Sequence, residues 1–207
     1  MQRLIISCCI GCFIFFGHSY SAPAFSDPIK FYIGAGGGLS HVDTGISSTT
    51  GSASSDGDDT GFKGLIGARV TKYFAVESFY ANLGKSVLTG NSGDTFVSDG
   101  TTFVFTANNV SIESEGTTLG AAAIGTLPVT DNINLLGKIG LHRWDIKTEV
   151  VSSVGNADFS DDGTNLYFGG GLEINVLSKY WIRAEFERFE FDDDDVDLIS
   201  VNLIVNF

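Results

Sequence analysis

Cysteine is absent beyond residue 12: all three, Cys8, Cys9 and Cys12, fall in one apolar run at the amino terminus. A chain that loses that run keeps no thiol and no disulfide. Proline is scarce, at 3 residues of 207, which argues against a Pro-rich disordered linker. Cations are few, 12 Lys and Arg against 25 Asp and Glu, and the formal charge of −13 disfavours nucleic acid as a partner, since phosphate binding needs basic patches. Beyond the amino terminus no stretch is apolar enough for a membrane helix, which needs about 20 residues, so a membrane crossing would have to use strands. Glycine, in contrast, is plentiful at 26 residues and suits strands joined by tight turns.

The amino terminus has the three parts of a secretory signal: basic Arg3, an apolar run over 4–16, then small residues at Ser19, Ser21, Ala22 and Ala24. At 13 residues the run is too short for a spanning helix, which needs about 20, and points to removal. Cleavage is expected after Ala24, with Ser21 as the alternative, giving a signal peptide over 1–24 and one domain over 25–207. Acylation at Cys12 is the competing reading, opposed by the apolar residues that continue to Phe16. Losing residues 1–24 removes one cation, Arg3, and no acid, which takes the charge from −13 to −14.

After residue 30 the apolar pattern has period two, in segments of about ten residues parted by turn-rich stretches, as expected of transmembrane strands. Eight strands are predicted, over 31–41, 61–70, 74–86, 112–127, 133–147, 165–176, 181–191 and 198–207. Alternation is blurred at Asn82. Connections alternate long and short, with 42–60, 87–111, 149–163 and 192–197 on one side and 71–73, 128–132 and 177–180 on the other. That rhythm fits an all-β, eight-stranded, antiparallel up-and-down transmembrane β-barrel with both termini on the short-turn side. The segment 87–111 leaves open a hairpin above the membrane or additional barrel strands. A soluble β-sandwich or lipocalin-like barrel would alternate as well, so periodicity alone does not decide the environment.

The last strand separates these readings. Ile199, Val201, Leu203, Val205 and Phe207 form an apolar stripe ending on a terminal Phe, and Leu198, Ser200, Asn202, Ile204 and Asn206 take the other face. With the signal peptide, this stripe resembles the terminal strand of the OmpA-like and opacity-type outer-membrane β-barrel family. Further matches are Phe31-Tyr32-Ile33-Gly34-Ala35-Gly36, residues 73–84, Gly170-Gly171-Leu172-Glu173 and Leu127-Pro128-Val129-Thr130-Asp131-Asn132. The resemblance implies the outer membrane of a Gram-negative bacterium, contact with outer-membrane lipid and lipopolysaccharide, and recognition of the terminal stripe by the barrel-assembly machinery. It also implies a scaffold without the family's carboxy-terminal peptidoglycan-binding domain.

Face assignment puts Lys63, Arg69, Lys138 and Arg183 inside with Glu77, Glu173, Glu185 and Glu187, four cations against four anions. The resemblance independently implies lumen positions for Glu77, Glu173 and Arg183, with Lys138 nearby. An eight-stranded barrel is just wide enough for its own side chains, and buried charges persist only when paired. A charge plug is therefore expected, with a narrow passive pore as the alternative. Tyr73, Phe74, Trp144, Tyr180 and Trp181 fall near strand ends, with Phe189 towards the loops, where interfacial aromatics anchor a barrel.

Acidic residues crowd the long connections, notably Asp56, Asp58, Asp59, Asp158, Asp161, Asp162 and the run 192–195. Carboxylates suit calcium, but no EF-hand spacing is present, so a solvated acidic surface with no metal or cofactor is expected. Only His41 and His142 follow the signal segment, and no nucleophile motif accompanies them. The residues thus point to a non-enzymatic barrel with an envelope-structural role and acidic loops open to host surface molecules.

Overall fold

The computed structural model describes residues 28–192 and 194–207. The segment expected to be a signal peptide, 1–24, lies outside them. Twelve strands follow in order: β1 (Lys30–Val42), β2 (Ile46–Thr49), β3 (Ser54–Asp56), β4 (Asp58–Arg69), β5 (Phe74–Gly90), β6 (Thr95–Ser98), β7 (Thr101–Val104), β8 (Val110–Thr130), β9 (Ile133–Ser152), β10 (Gly155–Leu177), β11 (Tyr180–Glu190) and β12 (Asp195–Asn206).

Eight of them close a ring. The sheet runs β5-β4-β1-β12-β11-β10-β9-β8, and an antiparallel β5–β8 pairing joins its ends, from Phe74↔Gly125 to Gly90↔Val110. Closure leaves no open edge in the ring, the condition for strands to cross lipid, where an unpaired backbone group is costly. The last strand seals the first through Tyr32↔Asn206 to Val42↔Val196, and the Phe207 N–H donates to the Phe31 carbonyl at 2.9 Å.

Burial alternates along each strand. On β12, Leu198, Ser200, Asn202 and Ile204 are buried while Ile199, Val201 and Leu203 point out, and the pattern recurs with Phe31, Ile33, Phe62, Ile66, Leu135, Ile139 and Phe168 outside. The apolar set therefore faces outward, and the charges buried along the strands, Lys63, Glu77, Lys138, Glu173, Arg183, Glu185 and Glu187, face inward. This is the inverse of a soluble barrel and excludes the lipocalin-like alternative.

Three local features depart from the simple pattern. The blur at Asn82 is a β-bulge: pairing with β8 slips between Asn82 and Lys85, and Gly84 holds φ +78°. Its N–H donates to Asn82 Oδ1 at 2.8 Å, and the next N–H, of Lys85, donates to Asp59 Oδ2 at 2.8 Å. A side chain at Gly84 would be strained in that left-handed conformation. The stretch 149–163 is mostly strand rather than loop, because β9 and β10 stay in register out to Gly155↔Ser152, and β8 pairs with β9 as far as Ser111↔Val151. Polar composition suggests a loop there, but β9 is paired with both β8 and β10, and β10 follows β9 along its whole outer length. Finally, 87–111 adds a hairpin outside the ring: β6 pairs with β7 and with β2 in a three-stranded sheet, with Phe96 and Phe103 stacked at 5.2 Å.

The turns at 70–73, 131–132 and 178–179 lie at one end, and the tight β9–β10 turn lies at the other. At 70–73, Val70 and Thr71 donate to the Phe74 carbonyl at 3.0 and 3.1 Å, and Ser178 holds φ +33° in the turn before β11. All the longer connections leave from the other end.

Candidate functional site

Among the described residues, functional side chains converge in the interior of the ring, and it is layered. Nearest the short turns, Arg69 Nη2 donates to both Glu173 oxygens at 3.0 and 2.9 Å, and Arg69 Nε donates to Asn206 Oδ1 at 3.3 Å. Arg183 lies above it, donating from Nε and Nη2 to Glu173 Oε1 at 2.8 and 2.6 Å and from Nη1 to Glu77 Oε2 at 2.6 Å. The Tyr32 hydroxyl donates to the same Glu77 oxygen at 2.9 Å, and both guanidinium groups lie over the Tyr32 ring, at 5.1 and 5.4 Å.

One step further, Lys138 Nζ lies 2.5 Å from Glu185 Oε1, 3.1 Å from Glu187 Oε1 and 3.2 Å from Glu77 Oε1. Lys63 bridges Glu185, at 2.6 Å, and Glu187. Asn202 Nδ2 donates to Glu185 Oε2 at 3.0 Å. The eight ions form one connected network, four of each sign. All are fully buried except Arg69, whose side chain is 18% exposed towards the turn end. Each ion costs several kcal/mol to desolvate, so the network holds only because nearly every charged head meets more than one partner.

Aromatic rings fill the next layer. Tyr167 stacks on Phe189 at 5.3 Å and 6°, Phe79 closes on both at 4.7 and 5.8 Å, and His142 meets Phe189 and Phe191 edge-on at 5.4 and 5.5 Å. His142 Nε2–H donates to the Glu190 carbonyl at 2.8 Å, which leaves Nδ1 to accept from the Thr118 hydroxyl at 2.8 Å.

Large lumen side chains lie across from glycine. In register, Tyr32 faces Gly67, Phe79 faces Gly120, Tyr167 faces Gly140 and Trp144 faces Gly163. A Cβ on Gly67 would sit 2.1 Å from the Tyr32 ring, and one on Gly140 would sit 2.6 Å from Tyr167. The packing of Tyr32, Phe79, Tyr167 and Trp144 is not visible in the sequence, because its signal, an aromatic opposite a glycine, appears only once strand register is known.

The family model described as the outer membrane protein beta-barrel domain matches residues 12–207. The chain belongs to that family. Solved structures agree on the fold: Ail, the attachment invasion locus protein of Yersinia pestis, in complex with the heparin analogue sucrose octasulfate, is 17% identical with a TM-score of 0.54, covering 86% of this chain and 99% of that one. The N-terminal β-barrel domain of Pseudomonas aeruginosa OprF is 12% identical with a TM-score of 0.55, covering 86% and 97%. The outer membrane protein OprG from Pseudomonas aeruginosa is 11% identical with a TM-score of 0.50, covering 86% and 95%. Among curated proteins, none matches. This outer-membrane barrel thus resides in the bacterial outer membrane, with the turns at 70–73, 131–132 and 178–179 on the periplasmic side as the architecture requires.

On that axis the outer-membrane barrel carries Tyr73, Phe74 and Tyr180 exposed at the periplasmic rim, with Lys72 over the Tyr73 ring at 4.8 Å and Lys179 over Tyr180 at 5.4 Å. Three aromatics expected at the interface belong inside instead. Trp144 is 2% exposed, donates its indole N–H to Asn165 Oδ1 at 2.9 Å and packs on Phe191. Trp181 is half-buried on the inward face, against Arg69 at 5.9 Å. Phe189 is likewise buried. Each shares the strand parity of a lumen charge, and parity outweighs nearness to a strand end. In the terminal stripe Ile199, Val201, Leu203 and Phe207 are exposed outward and Val205 is half-buried.

The outer end of the outer-membrane barrel is acidic. Arg143 pairs with Asp162 at 2.7 Å, Arg188 with Asp197 at 2.6 Å and His41 with Asp58 at 2.6 Å, while Lys30, Lys72 and Lys179 lie at the periplasmic end. Among the described residues no group of three or more His, Cys, Asp or Glu is placed to hold a metal.

Proposed function

We propose that this protein is a non-enzymatic, non-conducting outer-membrane barrel that braces the envelope and presents an acidic outer surface for interaction. The observation that carries this reading is the double filling of the bore. A balanced network of four cations and four anions is followed at once by stacked rings, so an ion crossing the lumen would have to displace both. Planar-bilayer recordings on the folded protein are expected to show no conductance above the lipid background. Stable unitary currents would overturn the proposal in favour of a narrow pore.

Surface interaction is supported by reach. At about 3.3 Å per residue, the 23 residues of β10 extend roughly 75 Å along the strand, well beyond an apolar band about 25 Å tall. The projecting β8–β9–β10 ladder, with Asp94 and Asp99 in the turns beside the β2–β6–β7 sheet, carries acids past the lipid headgroups. Their sign opposes a sulfated ligand of the kind bound by Ail and favours cationic host surface molecules. The outward stripe Ile199, Val201, Leu203, Val205 and Phe207 is suited to recognition by the barrel-assembly machinery, and the outer apolar face to membrane lipid and lipopolysaccharide. Neutralising Glu149, Asp158, Asp161 and Asp162 on the outer β9–β10 hairpin is expected to abolish host-cell adhesion without altering heat-modifiable migration, and unchanged adhesion would count against a surface role.

A further inference from the structure

Beyond the rings the ring of strands continues outward, but its interior is no longer filled. A cavity of about 360 Å³ opens there; Thr44, Ser86, Ser114, Thr148, Asp161 and Asp194 supply polar wall, and the apolar half of its lining is chiefly Leu83, Leu88, Ile112, Ile146, Phe191 and Val196. Leu83, Phe191 and Val196 are buried, and Leu88, Ile112 and Ile146 line the wall half-buried. The placement is unusual, because this stretch has left the membrane and has water outside it. An aliphatic wall facing an open space is unfavourable unless an apolar body occupies it, and a concave apolar cavity with a few polar groups is the form of a small-ligand site.

A second cavity, of about 260 Å³, adjoins the first through Phe191 and Asp194 and has the opposite chemistry: Asp43, Asp99, Asp192, Asp194 and Asp195 line it. Arg188 reaches Asp195 only at 3.8 Å, while its short bond goes to Asp197 at 2.6 Å. Among the described residues no Lys, Arg or His lines either cavity. These acids do not form a metal cage either. A partly apolar chamber joined to a carboxylate-lined one is complementary to a molecule with an apolar body and an organic cationic head.

We propose that the outer mouth of the barrel binds a small amphipathic cation, with its hydrocarbon part between Leu88, Ile112 and Ile146 and its ammonium or amidinium head between Asp43 and Asp99. This goes beyond the surface role proposed above and stands independently of it, since the cavity needs no macromolecular partner and no conducting path.

The test uses the full folded barrel in phosphatidylcholine nanodiscs, titrated calorimetrically with hexyltrimethylammonium, hexanol and hexanoate, with empty discs as the blank. Saturable binding of the cation is expected, and hexanoate should bind weaker by about tenfold or more, the factor that accompanies one favourable charge contact. The emission of Trp144, isolated by Trp181→Phe, should shift on binding because the indole packs on Phe191, at 5.1 Å, at the junction of the two cavities. Asp43→Asn with Asp99→Asn should weaken the cation severalfold and leave hexanol unchanged. The proposal fails if the cation gives no saturable heat beyond the empty discs, if hexanoate binds as tightly as the cation, or if the double variant, folded by heat-modifiable migration, keeps the cation's affinity.

Discussion

The two layers of the lumen fill the same bore by opposite means. The periplasmic half holds eight ions in contact, and the outer half holds rings set against glycines. In the first, the governing requirement is satisfaction, since a charge left alone in a dry interior has no substitute for water. In the second it is volume, since rings seated over glycine leave no room for a methyl group and need no partner of opposite sign. One is brittle to a change of charge and the other to a change of size.

The sharpest way to separate them is to remove Arg183, which contacts Glu77, Glu173 and Glu185 and is 1% exposed. Arg183→Leu keeps bulk and deletes charge, so a loss of about 3–5 kcal/mol is expected in urea unfolding from lipid vesicles. Adding Glu77→Gln should recover part of that loss by removing an anion stranded by the first change. A loss no greater than that of an ordinary surface substitution would mean that the layer is hydrated and its ions are independent.

The ring layer has its own probe in Gly140→Ala. The added methyl would meet the Ala121 carbonyl at 2.1 Å and the Tyr167 ring at 2.6 Å, so strand and ring must both yield. Overpacking of this kind costs about 1–3 kcal/mol. The same substitution at Gly64, where nothing lies within 4 Å, is expected to be silent. Equal losses at both glycines would show that strand propensity, and not ring packing, governs this layer.

Much of this architecture was legible from period-two patterning, and where it was not, the reason is physical. Alternation located all eight ring strands because one face meets lipid and the other a crowded lumen, two environments that permit little mixing. It placed Lys63, Glu77, Lys138, Glu173, Arg183, Glu185 and Glu187 on faces that the structure buries. Nothing in the order of residues says that Asn82, Leu83 and Gly84 form a bulge, since its cause includes the Asp59 carboxylate on a neighbouring strand. Residues 149–163 read as loop because above the membrane both faces meet water and the alternation fades while the backbone ladder persists. Trp144 and Trp181 were misplaced for a different reason. Both fall near ends of the predicted strands, yet they share the parity of Lys138 and Arg183, and parity turns them inward.

The boundary between the layers runs through Tyr167, and it supplies the mildest test. Its ring stacks on Phe189 as part of the packed layer, yet its hydroxyl is buried with no hydrogen-bond partner among the described residues. If the outer half of the lumen depends on shape alone, Tyr167→Phe should leave stability unchanged or raise it by up to about 1 kcal/mol, since it removes an unsatisfied polar atom and keeps the ring. If the hydroxyl instead belongs functionally to the charged network below it, the same change should cost a comparable amount. Urea midpoints of the wild-type and variant barrels in the same vesicles distinguish the two: a lower midpoint would move the boundary outward by one layer, and an equal or higher one fixes it between Lys138 and Tyr167.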